Sequence, residues 1–252
     1  MTSTQAAQHL GVTVSTIKRW ADSGRLEHVK TAGGHRRFRK SALEKMRMDS
    51  NDFESTWIDL LTSNTQSYQV QSELLALRGR CENWCQVAIA LGSVLVEIGL
   101  RWRAGTISIH EEHIASYRLS RALASCADAI TVARDAGECV LVVPEHEEHT
   151  LGLSLLEPCI REQGWKPLWL GRKTPTPILI NYIATEKPSV VAISASPHPQ
   201  KSGHLDHIAK LLEQTCRDSQ TDLWFGGNGS WPNDPAYGHR LRNYTDILAR
   251  TP

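Results

Sequence analysis

The sequence predicts a multidomain protein with a winged helix-turn-helix head, a helical bundle, and an α/β doubly wound parallel sheet. Its 252 residues suggest two or three small domains at roughly 100–200 residues per domain. Residues 1–50 hold ten Lys and Arg against four Asp and Glu, whereas the whole chain has a net charge of only +1. Basic charge gathered at one end suggests a head that binds a polyanion.

The head begins with two short helices, predicted over residues 4–10 and 14–23. Ile17 and Trp20 lie three residues apart and are expected to face inward from the second helix. Gly24 is expected to end that helix, because glycine readily adopts the left-handed conformation found at helix ends.

A hairpin is predicted next, because two short extended segments flank Gly33 and Gly34. Two helices and a hairpin in this order form a winged helix-turn-helix, whose second helix enters the major groove of DNA. The candidate contacts to bases or phosphates lie on the second helix and at the hairpin tip. They are Ser15, Thr16, Lys18, Arg19, His35, Arg36, Arg37 and Arg39.

The middle of the chain is helical in pattern. A small helix is expected at 42–46, a polar linker at 47–52, and a helical bundle over 53–130. Ser108 and Glu111 form a capping-box pattern, which predicts that a helix begins beside them.

From residue 137 onward, short apolar strands alternate with amphipathic helices. This alternation favours a parallel doubly wound sheet, and the ligands of such sheets bind outside the carboxyl ends of the strands. The predicted domains are 1–50 for the head, 51–133 for the helical bundle, and 134–252 for the sheet.

The composition indicates a cytoplasmic protein. The six cysteines show neither CxxC pairs nor the density of a secreted scaffold, so reduced thiols are expected. We expect no apolar segment long enough to span a bilayer and no amino-terminal signal. Cytoplasmic localisation and no membrane association are therefore predicted.

A candidate metal-binding segment follows the first strand of the sheet. It contains Glu147, His149 and Gly152 in the spacing E-x-H-x-x-G. A neutral imidazole in that loop can reach a metal above the sheet edge, while a carboxylate holds its other ring nitrogen. Gly152 allows close approach to the start of the next helix.

The segment resembles the E/D-x-H-x-x-G signature of cobalamin-binding Rossmann-like domains. The resemblance implies that His149 is the lower cobalt ligand and that Ser194 binds the displaced base. It also implies that Gly226 and Gly227 leave room for the nucleotide tail. The pattern fits, with 41 residues between Gly152 and Ser194 and 29 residues between Ser196 and Gly226. Ser196 stands where the family usually has Leu, which makes that wall of the site more polar.

A second resemblance lies in the helical segment, where Trp102 is followed after nine residues by Glu112 and His113. This spacing is similar to the cobalamin cap of CarH-type regulators, and it implies that these three side chains cover the upper cobalt face. An indole offers a flat apolar wall, and Glu and His supply polar contacts. Arg103 follows Trp102, where some members of the family have a His. In those members the His can bind the cobalt after light has broken the cobalt–carbon bond, and Arg cannot, so the product formed in light is expected to differ here.

The head also resembles those of MerR-family regulators and excisionases, over residues 3–47. Together the resemblances imply a repressor without enzymatic activity that binds double-stranded operator DNA. Adenosylcobalamin is the expected cofactor, and it is expected to promote a tetramer that dissociates in light. Two alternatives stay open: a light-independent regulator that senses cobalamin or another tetrapyrrole, and a corrinoid carrier protein for a methyltransferase.

Overall fold

A computed structural model describes residues 1–250 except Gly11, Thr13, Ser23, Arg25, Ala32, Asn64 and residues 198–203. The chain divides into two compact units, Met1–Asp59 and Leu60–Pro252. The domain boundaries expected at 50/51 and 133/134 stay predictions.

The first unit is built around a small apolar core beneath a two-stranded hairpin. Its elements are α1 (Ser3–Leu10), α2 (Val14–Asp22), β1 (Val29–Lys30), β2 (Arg36–Arg37) and all but the last three residues of α3 (Lys40–Thr62). The two strands are antiparallel, and Gly34 adopts a φ of +76° in the turn between them. Ile17 is fully buried, and the partly buried Trp20 packs against the same core. The helices and hairpin predicted for the head are thus confirmed.

Helix α3 differs from the expectation. It runs without interruption for 23 residues, so the linker predicted at 47–52 is wrong and the short helix at 42–46 is only its first part. No glycine or proline occurs between Lys40 and Thr62, so nothing in the backbone chemistry stops a helix there. The polar residues at 47–52 had suggested a loop, but polar residues other than glycine and proline are also compatible with a helix.

Three helices continue the second unit: α4 (Ser67–Arg80), α5 (Trp84–Arg103) and α6 (Ile109–Asp128). The capping box at Ser108 is present, since its side chain accepts a hydrogen bond from the N–H of Glu111 and the Glu111 carboxylate accepts one from Ser108. Helix α5 is long and apolar enough to cross a membrane by length and composition alone, contrary to the expectation for this sequence. Seven of its residues are buried inside this unit.

A parallel sheet forms the centre of the second unit. Its strands are β3 (Glu138–Pro144), β4 (Lys166–Thr174), β5 (Val190–Ser194), β6 (Asp222–Gly226) and β7 (His239–Arg240). The spatial order is β4-β3-β5-β6-β7, and each neighbouring pair is parallel. This confirms the predicted doubly wound sheet and brings the carboxyl ends of β3, β5 and β6 to one edge.

The connections of the sheet are α7 (Leu151–Glu162), α8 (Thr176–Glu186) and α9 (His204–Ser219). After β6 the chain adds the short strand β7 and a 3₁₀ helix over Tyr244–Ala249. The 3₁₀ helix packs against both α5 and α7 and buries Ile247 completely.

Candidate functional site

The loop between β3 and α7 holds His149 through Glu147. Nδ1 of His149 lies 2.6 Å from Oε1 of Glu147. The same oxygen accepts hydrogen bonds of 2.9 Å from the backbone N–H groups of Glu148 and His149. The second oxygen, Oε2, accepts a 2.7 Å hydrogen bond from the backbone N–H of Ser196. One buried carboxylate therefore fixes the His149 ring and joins the loops that follow β3 and β5.

The pKa values of this pair follow from these contacts. Burial alone raises the pKa of Glu147, but hydrogen bonds from the His149 ring and from the N–H groups of His149 and Ser196 outweigh it, and the pKa falls to about 2. Glu147 is therefore ionised, and Nδ1 of His149 carries the hydrogen of their bond. The hydrogen bond to Glu147 raises the pKa of His149 against the opposing effect of burial. Across the described residues no hydrogen bond reaches Nε2, and the His149 side chain is 71% exposed.

Three glycines pack closely around the Ser194 hydroxyl beside this loop. A Cβ added to Gly152 would lie 3.5 Å from the Ser194 hydroxyl, and one added to Gly226 would lie 3.9 Å from the same oxygen. Gly227 has a φ of +75°, and a Cβ there would overlap the carbonyl oxygen of Ala195 and lie 2.8 Å from Ser194 Oγ. The structure therefore brings Gly152, Ser194, Gly226 and Gly227 together, and their roles in binding a cofactor stay predictions.

Helix α6 brings one predicted cap residue close to His149. The negative charge of Glu112 is among the effects that raise the pKa of His149, after the hydrogen bond and charge of Glu147. One oxygen of Glu112 accepts a 2.7 Å hydrogen bond from Ser116, and the other lies 3.7 Å from Nε2 of the exposed His113. Trp102 lies in the last turn of α5 and is 47% exposed. The cap roles of these residues stay predictions.

Two further contacts at the sheet edge were not predicted from the sequence. Lys173, in the irregular end of β4, forms an ion pair with Glu148. Tyr244, in the 3₁₀ helix, donates a 3.2 Å hydrogen bond to the carbonyl of Gly152. No motif of the sequence pointed to Tyr244.

The candidate DNA contacts lie on α2 and on the hairpin of the first unit. The side chains of Ser15 and Lys18 are exposed, and Thr16 is partly buried. In the hairpin and just after it, His35, Arg37 and Arg39 are exposed. The side chain of Arg19 lies outside the described residues. The assignment of these residues to DNA binding stays a prediction.

Arg36 differs from its neighbours in the hairpin. Its guanidinium forms an ion pair with Asp22 and donates a hydrogen bond of 3.4 Å to the carbonyl of Lys18, so it ties the hairpin to α2. Its side chain is only 20% exposed. The sequence analysis predicted that Arg36 is available for DNA at the hairpin tip. In the structure its guanidinium is instead paired with Asp22 inside the head.

Comparison with known proteins agrees with this architecture. Residues 1–48 match a family described as a helix-turn-helix domain. The HTH-type transcriptional repressor CarH of Myxococcus xanthus is 25% identical over 185 residues, covering 71% of this chain and 60% of CarH. The repressor CarA of the same organism is 30% identical over 124 residues, covering 49% of this chain and 40% of CarA. The chain therefore spans roughly half the length of these curated relatives.

Among solved structures, the monomethylamine corrinoid protein of Methanosarcina barkeri resembles the chain with a TM-score of 0.59 and 17% identity. The match covers 79% of this chain and 94% of that protein, and it concerns the fold. These comparisons agree with the resemblance inferred from the motifs: the chain is similar to the repressors CarH and CarA, matches a helix-turn-helix domain over residues 1–48, and shares the fold of a corrinoid protein.

Proposed function

We propose that this chain is a cobalamin-binding transcriptional regulator in which His149 is the lower cobalt ligand and the head binds operator DNA. The observation that carries the proposal is the His149 ring, held at Nδ1 by an ionised carboxylate and unpaired at Nε2 among the described residues. A metal-bound histidine usually donates its other N–H to such a partner, which fixes the tautomer and raises the basicity of the ligand. The relatedness to two repressors supports the regulatory part of the proposal.

The residues around His149 suit a corrinoid whose own base has been displaced. Glu147 orients the imidazole, so the Nε2 lone pair of the neutral ring is available at the carboxyl edge of the sheet. In this assignment the nucleotide tail would lie beside Gly152 and Gly226, where an added Cβ would meet its nearest neighbours at 3.5 Å or more, whereas Gly227 is packed against the carbonyl oxygen of Ala195. In this assignment Ser194 contacts the displaced base. Ser196 holds Glu147 through its backbone N–H.

The finer proposal is that the cofactor is adenosylcobalamin and the signal is light. When bound, adenosylcobalamin supplies a cobalt–carbon bond that light can break. Trp102, Glu112 and His113, from the helical bundle, would cover its adenosyl group. Cofactor and light control assembly only if the cofactor binds the assembled form more tightly than the dissociated form. We assign the chain no catalytic turnover, a cytoplasmic location, and a tetramer as its DNA-binding form.

A corrinoid carrier for a methyltransferase is the second candidate. The fold it shares with the methylamine corrinoid protein favours this reading for the second unit alone. A carrier has no need of operator contacts, so a match to a helix-turn-helix domain over residues 1–48 favours the regulator. Binding to DNA that changes with cobalamin separates the two.

Cobalamin binding is tested by titrating the full chain with hydroxocobalamin and recording the absorption spectrum. We expect a spectrum of histidine-ligated, base-off cobalamin for the wild type, and loss of that spectrum with weaker binding for His149→Ala. The matched control is His146→Asn in the same loop, because His146 is exposed and has a φ of +69°, which Asn tolerates well. An unchanged spectrum in His149→Ala contradicts the ligand assignment.

The regulatory part is tested on DNA selected in vitro by the full chain. Fluorescence anisotropy in the dark, with and without adenosylcobalamin, and again after green light, measures whether the cofactor controls affinity. We expect tight binding only for the loaded protein in the dark. Affinity that depends on cobalamin but not on light supports the light-independent sensor, and affinity that depends on neither contradicts regulation by the cofactor.

A further inference from the structure

A cavity of about 340 Å³ opens between α8 and α9, beside the end of β3. Its apolar wall is formed by Pro177 and Ile180 from α8 and by Ile208 and Leu211 from α9. Helices α8 and α9 share a core with the sheet, whereas α7 packs against α5 and α6. The cavity therefore lies away from the helical bundle, and its volume is within the lower range for small-molecule sites.

Three polar side chains complete the lining, and they lack partners. They are Glu145, Thr176 and His207. Thr176 is only 6% exposed, and its hydroxyl is buried without a hydrogen-bond partner. Nε2 of His204, three residues before His207 on α9, is also buried without a partner. Native proteins satisfy nearly all buried polar groups, so this cluster indicates a partner from outside the chain.

The charge of the lining favours a cation. Among the described residues that line the cavity, Glu145 is the only Asp, Glu, Lys or Arg. The start of a helix usually attracts anions through its free N–H groups. At the start of α8, however, Pro177 has no N–H, and the N–H groups of Ile178 and Leu179 are bonded to the carbonyl of Pro175. The first turn of α9 already carries an acidic residue. An anion would therefore find few donors here and would be repelled by Glu145.

We propose that this cavity binds a small aliphatic amine, whose ammonium group pairs with Glu145 and whose alkyl chain lies on the apolar wall between α8 and α9. An ammonium group donates up to three hydrogen bonds and accepts none. The Glu145 carboxylate accepts one of these bonds, and the Thr176 hydroxyl accepts another. The inference does not depend on cobalamin, because none of the described lining residues is among those assigned to the corrinoid site.

The test titrates the full chain with hexylamine, hexanol and hexanoate in a calorimeter, because these probes have similar alkyl chains and differ in charge. The wild type should bind hexylamine about ten-fold more tightly than hexanol, because a hydrogen bond from a charged group is stronger than one from a neutral group. Hexanoate should bind most weakly of the three. A wild type that binds hexylamine no more tightly than hexanol overturns the proposal, and so does one that binds none of the probes.

Glu145→Gln tests the charged contact. This variant should lose the preference for hexylamine over hexanol, because an amide cannot form an ion pair. The matched control is Glu148→Gln, which changes the net charge equally in the same loop, at an exposed residue that pairs with Lys173. The control should keep the preference of the wild type. An equal loss of preference in both variants overturns the contact with Glu145.

Thr176→Val tests the buried hydroxyl with two measurements. Valine nearly keeps the shape of threonine, so hexylamine binding should weaken by about five-fold, the effect of one hydrogen bond of ordinary strength. Without amine, the variant should unfold at a higher urea concentration than the wild type, because it no longer buries an unsatisfied hydroxyl. Unchanged hexylamine affinity contradicts the role of Thr176. A lower unfolding midpoint also contradicts it, since that result shows that the hydroxyl already has a partner in the folded chain.

Discussion

Glu147 and Ser196 are 49 positions apart in the chain, yet the Glu147 carboxylate accepts a 2.7 Å hydrogen bond from the Ser196 N–H. The other oxygen of the same carboxylate holds the ring of His149. The orientation of the candidate cobalt ligand is therefore coupled to the loop after β5, whose strand ends at Ser194 beside Gly152 and Gly226.

The first prediction concerns this carboxylate. Glu147→Gln should weaken cobalamin binding about 10–100-fold, the usual effect of losing the partner that orients a metal-bound histidine. Glu148→Gln is the control, because Glu148 is exposed and pairs with Lys173 instead of the His149 ring. Absorbance titration with hydroxocobalamin measures both. Equal affinities for the two variants would show that Glu147 does not orient the ligand.

The second prediction concerns the backbone at Gly227. Gly227→Ala should destabilise the second unit, because the residue has a φ of +75° and a Cβ there would overlap the carbonyl oxygen of Ala195. Gly105→Ala is matched in backbone conformation, with a φ of +73°, but a Cβ there meets nothing within 4 Å. The left-handed conformation costs each alanine roughly 1–2 kcal/mol, and Gly227→Ala should cost clearly more. Urea unfolding gives the two free energies, and equal losses would remove the steric argument.

The third prediction concerns the attachment of α4 and α5 to α7. Glu162 accepts a 2.5 Å hydrogen bond from the guanidinium of Arg78 and a 2.7 Å hydrogen bond from the N–H of Trp84. Glu162→Ala should lower the free energy of unfolding by about 1–3 kcal/mol, because both donors lose their acceptor.

Glu97→Ala is the control for this pair of contacts. Glu97 pairs with Arg101 one turn away on the same helix, with a similar side-chain exposure. Its loss should cost only about 0.3–0.5 kcal/mol. If both variants lost the same stability in urea unfolding, the bridge to α7 would be no stronger than a surface pair.

The fourth prediction separates two neighbouring arginines of the hairpin. Arg37→Ala should weaken binding to all DNA sequences and reduce the slope of log affinity against log salt by about 0.9, the value for one phosphate. Arg36→Ala should act through the position of the hairpin, because Arg36 is tied to Asp22. Asp22→Asn should then reproduce the Arg36→Ala defect and leave the Arg37 contribution intact. Anisotropy at several salt concentrations measures the slopes. If Arg36→Ala reduced the slope as much as Arg37→Ala while Asp22→Asn changed nothing, Arg36 would bind phosphate directly.

The fifth prediction concerns Trp102 and the proposed switch. Trp102→Ala should leave the histidine-ligated spectrum intact but weaken the dependence of oligomer size on light. The reason is that packed elements tend to change between discrete arrangements, and an indole over the cobalt is the wall expected to move. Stability should change little, because the side chain is 47% exposed. Size-exclusion chromatography of loaded protein, dark and illuminated, measures the switch. A variant that dissociates like the wild type would remove Trp102 from the mechanism.

The sheet domain could be predicted well because its strands are apolar and short, and its helices are amphipathic. The spacing of Glu147 and His149 is local, so the motif also predicted their contact. The bond from Glu147 to Ser196 joins distant positions, and no periodicity in the sequence reports it. Strand β7 has two residues, and the 3₁₀ helix follows a segment rich in Gly, Pro and Asn. Such segments carry no periodic signal, which is why Tyr244 was missed.

The edge strand β4 has a consequence for the behaviour of many copies at high concentration. An exposed strand edge can pair with a strand of another molecule and start aggregation. Here Pro167 removes one backbone donor, Gly171 and Lys173 have φ values of +96° and +54°, and the pairing with β3 shifts register in two places. Lys166 and Arg172 add positive charge along the same strand. A bent, charged edge resists the growth of a sheet from one molecule into the next, so copies of this chain should meet through other surfaces and remain in solution as discrete particles.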